Sequence, residues 1–84
     1  MNRLGFLVLS ILVKYEAVDK LSSMSVHEIA EMEDYGYREN TIYKKIKEFE
    51  ESGYIGRGLP DGRAVTFYIT AEGSRALEKV KEVT

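Results

Sequence analysis

Between Tyr37 and Ile55 the chain reads YRENTIYKKIKEFEESGYI, the stretch that most restricts how it can fold. At about 100° per residue, Ile42, Ile46 and Phe49 share one helix face. Asn40, Tyr43, Lys44 and Lys47 fall on the opposite or flanking faces. Gly53 closes the periodic run, where a left-handed C-cap favours glycine. Beyond it the pattern changes from helical to alternating. A helix with one apolar back needs other elements to bury that back, and here they must include a small sheet.

The preceding chain supplies two such elements. Residues 4–13, LGFLVLSILV, are apolar except for Ser10. The run is too short to cross a bilayer, which takes about 20 residues. Arg3 ahead of an apolar run has the outline of a secretion signal, but Tyr15 sits where a small residue is wanted before Ala17. A helix over about residues 2–18 is expected instead. Being apolar nearly all round, it either lies in the core or also covers a second subunit. Lys20 to Met24 reads as a polar connection. Ser25-Val26-His27-Glu28 then has the form of a capping box, in which the serine oxygen accepts from an early helix N–H and the glutamate reaches back. Val26, Ile29, Ala30 and Met32 supply the inward face of a short helix over about 26–34. The central helix follows over about 39–52. Arg38 stands where a Ser, Thr, Asp or Asn N-cap is usual.

After Gly53, Tyr54 to Arg57 reads as one strand. Val65, Phe67 and Ile69 alternate with Ala64, Thr66, Tyr68 and Thr70 in another. Leu59-Pro60-Asp61-Gly62 is a turn signal between them, with Gly62 suited to positive φ. The result is a hairpin over about 54–69, with Arg57 and Arg63 near its tip. Thr70 can cap a last helix over about 71–83, with Ala76, Leu77 and Val80 as its stripe and Val83 extending it. Gly73 in the first turn weakens that helix and so marks a close backbone approach. The fold class is α+β and mostly helical, in one domain spanning 1–84. A short capped helix joined to a longer one with an exposed polar front makes a helix-turn-helix.

Charge is unevenly spread. The net charge is −2, yet residues 38–63 carry six bases against five acids, while 16–37 carry six acids against Lys20 alone. A local basic patch on an acidic chain can still bind phosphate, with strong salt dependence. The acids Glu28, Glu31, Glu33 and Asp34 read as a solvated face, or as a surface that docks other proteins. Enzyme chemistry finds little footing. There is no cysteine and one histidine, His27, and Gly56 and Gly58 are not followed by a helix, so no phosphate-cradling loop forms. No metal or cofactor is expected.

The segments SVHEIA (25–30), NTIYKKIKEFEESGYI (40–55) and FYITAEGSRAL (67–77), in this order, resemble winged helix-turn-helix transcriptional regulators. The second and third are most similar to the PadR-like group, and MarR-like regulators share much of the pattern. The resemblance implies sequence-specific binding of double-stranded DNA, usually as a symmetric dimer that represses transcription, and the absence of cysteine fits a reducing cytoplasm. The resemblance also implies groove or phosphate contacts from Asn40, Thr41, Tyr43, Lys44 and Lys47, with Arg38 beside them and Arg57 and Arg63 on the wing. In two respects the chain departs from the group. Arg63 is the only base just before the second wing strand, and no separate effector or dimerisation domain follows the last helix. A small-molecule effector is therefore not expected, and a homodimer would use the first and last helices. The alternative is a winged-helix module that docks proteins without reading DNA.

Overall fold

A computed structural model of the protein describes residues 1–83, leaving Thr84 and the side chain of Val83 outside the description. The order is α1 (Arg3–Lys14), β1 (Met24–Ser25), α2 (Val26–Met32), α3 (Glu39–Glu51), β2 (Ile55–Arg57), β3 (Thr66–Ile69) and α4 (Ala71–Val83). The sheet has three antiparallel strands in the order β1-β3-β2, one more than the expected hairpin. Met24 pairs with Phe67 and Ser25 with Thr66 on one side of β3, and Ile55, Gly56 and Arg57 pair with Ile69, Tyr68 and Phe67 on the other. The connection read as polar thus ends in a strand.

The core joins every element. Val8, Leu9, Ile11 and Leu12 of α1, Ile29 of α2, Ile42, Ile46 and Phe49 of α3, Phe67 and Ile69 of β3 and Leu77 of α4 are all buried. The apolar run of α1 is therefore used mainly inside the chain, with Leu4, Phe6 and Leu7 only half-buried against the cluster. Met32, expected to face inward, is exposed, because α2 ends there and Glu33 is already extended. The extension of the α4 stripe to Val83 falls on a side chain outside the described residues. Among the described residues no helix is long and apolar enough to cross a membrane.

Most helix ends follow local chemistry that the sequence shows. Ser25 and Glu28 form the capping box in full. Thr70 Oγ1 accepts from the Gly73 N–H at 3.0 Å and donates to the Gly53 carbonyl at 2.6 Å, so one hydroxyl ties the start of α4 to the end of α3. Gly53, at φ 81°, closes α3: its N–H donates to Glu50 and the Tyr54 N–H to Phe49, the paired bonds of a Schellman motif. The end of α1 differs: the helix stops at Lys14, short of the expected Val18. There the same paired closure runs from Glu16 to Val13 and from Ala17 to Leu12, with Glu16 in the left-handed region at φ 57°.

The hairpin also departs from strict alternation. Thr66 is buried and Val65 is exposed. The Thr66 hydroxyl donates to the Leu59 carbonyl at 2.6 Å and meets Ser23 Oγ at 2.6 Å, so the connection before β1 covers that face of the strand. The turn lies one step later than the proline suggests: Asp61 and Ala64 exchange both backbone bonds around Gly62 and Arg63, with Gly62 at φ 62°.

Candidate nucleic-acid interface

The second and third helices are set against each other by the sequence between their caps. The Glu33 carboxylate accepts from the Tyr35 N–H at 2.7 Å, Gly36 takes positive φ, and Arg38 is extended as the N-cap of α3. Arg38 makes no side-chain cap bond, so the first turn of α3 presents backbone N–H groups without a capping oxygen. His27 straps the two helices: Nε2 lies 2.7 Å from Glu31 and Nδ1 lies 3.1 Å from Glu39, the first residue of α3. The Glu39 hydrogen bond, and then the Glu31 and Glu39 charges, raise the imidazole pKa above its ordinary value. The doubly protonated ring satisfies both carboxylates.

These contacts also account for much of the acidic stretch around α2. Glu28 serves the capping box, Glu31 faces His27 and Glu33 closes the turn. Glu28, Glu31 and Glu33 each have an internal partner, which leaves less of that face to a docking protein.

Along α3 the core stripe turns inward, and the residues singled out from the sequence divide into two groups. Arg38, Asn40, Thr41 and Lys44 are exposed, and neither Arg38 nor Lys44 has an ion-pair partner among the described residues. Tyr43, Lys47 and Arg57 form a second group further along. Lys47 Nζ lies 3.0 Å from Glu50 Oε1, and Arg57 Nε donates to Glu50 Oε2 at 2.8 Å. Arg57 is therefore at the base of the hairpin and not near its tip, because β2 leaves Gly53 directly alongside the last turn of α3. Its guanidinium also lies 5.8 Å from the centroid of the Phe67 ring. The Glu50 hydrogen bond first, then its charge and the nearby Tyr43, favour the charged guanidinium still further. Arg63 stands apart from this group. It is in the turn at the tip, exposed and without an ion-pair partner among the described residues.

Lys45, not among the residues expected to matter, faces inward with its Nζ 2.8 Å from Glu48 and 5.7 Å from the centroid of the Phe49 ring. Glu50, beside Glu48 and Glu51 near the end of α3, does not stand out in the sequence as part of a binding site. It is instead the residue around which the second group assembles. Its spacing from Lys47, three positions along a helix, was a visible signal. Its proximity to Arg57 follows only once the reversal at Gly53 is known. Among the described residues no His, Asp and Glu cluster has the arrangement to hold a metal ion.

No family model matches the chain, and no curated protein does. Solved structures do match. TubR from Bacillus megaterium pBM400 superposes with a TM-score of 0.80 at 20% identity, over 95% of this chain and 86% of that one. The DNA-binding TubR fragment from Clostridium botulinum gives 0.74 at 25% identity, over 95% of this chain and 96% of the fragment. The transcriptional regulator BldR from Sulfolobus solfataricus gives 0.73 at 25% identity, over 99% of this chain but 55% of BldR. The arrangement of four helices and a small antiparallel sheet is thus the winged helix-turn-helix, with α2 and α3 as its helix pair and the β2–β3 hairpin as its wing.

Proposed function

We propose that this chain binds double-stranded DNA in a sequence-specific manner as a small transcriptional regulator. The observation that carries the reading is the exposed front of α3, where Arg38, Asn40, Thr41 and Lys44 stand beside an uncapped helix N-terminus in a fold shared with a DNA-binding fragment and a transcriptional regulator. Exposed Asn can read adenine, while Arg and Lys serve guanine or phosphate. Arg63 at the wing tip contacts the neighbouring backbone or minor groove, and Tyr43, Lys47 and Arg57 lie at the edge of the same surface. On this reading residues 1–84 act as one DNA-binding domain in the cytoplasm, with no catalysis and no membrane partner. Repression, a PadR-like kinship and the lack of a small-molecule effector are its finer parts.

The test is equilibrium binding to random-sequence duplex DNA across a range of salt concentrations. Log affinity should fall linearly with log salt, by a slope of about 0.9 for each phosphate neutralised. Replacing Arg38 and Lys44 together with alanine should weaken binding and flatten the slope by up to about 1.8. Affinity unchanged by the double substitution would show that α3 does not face DNA. Selection of bound duplexes from a random pool then reads out the sequence preference.

A homodimer belongs to the same reading. The half-buried Leu4, Phe6 and Leu7 of α1, and Ala76 of α4, offer an apolar surface to a second copy. Two-fold symmetric half-sites should emerge from the selection. A mass of one chain by light scattering at micromolar concentration rules the dimer out.

A further inference from the structure

Glu50 holds the donors of two cations on the DNA-facing side of the molecule. Its side chain is 19% exposed, with one oxygen 3.0 Å from Lys47 Nζ and the other accepting from Arg57 Nε at 2.8 Å. A phosphate would present oxygens to these same donors in much the same way. To turn those same donors to a phosphate, Lys47 and Arg57 leave Glu50, and a largely buried carboxylate is then stranded without partners, which is unfavourable. Arg38, Lys44 and Arg63 carry no such restraint among the described residues.

We infer that Glu50 is a specificity-determining residue of the DNA interface, acting as an internal substitute for phosphate. It holds Lys47 and Arg57 away from the DNA backbone and pins the base of the wing to α3. Sequence-independent affinity then comes from Arg38, Lys44 and Arg63. This deepens the DNA-binding reading and rests on it. Partial burial pushes the Glu50 carboxyl up, but hydrogen bonds from Arg57 and Lys47 and their charges outweigh burial and lower its pKa overall. The clamp is therefore closed at neutral pH. Phosphate contacts supply nonspecific affinity and carry no sequence information directly. Withholding two cations lowers binding to random DNA more than it lowers discrimination between sequences.

The test compares the full-length chain with Glu50→Gln on random-sequence duplex DNA across a salt series. The neutral amide frees both cations, so binding at low salt should tighten by about tenfold and the slope should steepen by up to about 1.8. Adding Lys47→Ala and Arg57→Ala to Glu50→Gln should abolish the gain. Lys47→Ala in the otherwise native chain does not depend on how Glu50→Gln folds, and it should weaken binding less than Lys44→Ala does. If Glu50 were only structural, Glu50→Gln would lower the unfolding midpoint and weaken binding with no change in slope. That result overturns the inference, as does unchanged binding, or a Lys47→Ala loss equal to that of Lys44→Ala. In each of these cases, salt-dependent binding by the native chain that is lost on replacing Arg38 and Lys44 leaves the DNA-binding reading intact. Absence of duplex binding by both the native chain and Glu50→Gln overturns both.

Discussion

Phe67→Ala should remove about 3–5 kcal/mol of folding stability, the usual cost of emptying a fully buried phenylalanine site. Phe67 is the largest of the fully buried side chains. A chain of this length holds about 4–13 kcal/mol in total, so the loss takes a large share of the stability and, at the low end of that range, brings the variant to its unfolding transition at room temperature. Two features argue for the upper part of the range. Phe67 is on the central strand, opposite Met24 on one side and Arg57 on the other, so two strands limit how far the site can collapse. The Arg57 guanidinium also rests near the ring, so the cavity opens beside the Glu50 clamp. Urea denaturation checks the prediction: the midpoint should fall steeply with little change in slope. A loss below about 1.5 kcal/mol would mean that the core repacks freely around the gap.

The parts of this architecture that were legible in the sequence are those in which neighbouring residues carry the whole signal. Ile42, Ile46 and Phe49 declare one face, Ser25 with Glu28 declares a helix start, and Gly53 declares a helix end. The structure has all three. Where a long-range partner decides, the sequence has little to show. Strand β1 is two residues long, below any periodicity, and exists because Phe67 and Thr66 lie opposite it. Helix α1 is closed by Glu16 in left-handed conformation, two residues past its end, and a glutamate advertises no stop. Ala17 is then buried, and its carbonyl accepts from the Ile69 N–H on β3 at 2.9 Å. Thr66 is buried where alternation favours Val65, because hydroxyl partners come from Ser23 and Leu59. The candidate site shows the same division. The exposed front of α3 follows from helical geometry, but Glu50 looks like one more acid on a solvated tail. Only the chain reversal at Gly53 brings Arg57 back to it.

Gly73→Ala is the sharpest test of that interlock, because local and tertiary effects have opposite signs. Within a helix the substitution should stabilise by up to about 1 kcal/mol, since alanine is the better helix former. At Gly73, however, a Cβ would collide with the Tyr54 carbonyl oxygen and would stand 2.8 Å from Ile69 Cγ1. The Tyr54 carbonyl cannot easily retreat. It accepts from the Thr70 N–H at 3.0 Å, and the Tyr54 N–H closes α3 through Phe49. Relief therefore requires α4 to move off the junction between α3 and β2, with Thr70 and its bond to Gly53 drawn along. Overpacking of this kind costs about 1–3 kcal/mol and sometimes more, so we expect a net loss of about 2 kcal/mol by thermal or urea unfolding. Serine at the same position should lose at least as much, lacking alanine's helix preference. A stabilised Gly73→Ala variant would mean that α4 is not held against the end of α3. The wing would then lose the support that places Arg57 beside Glu50.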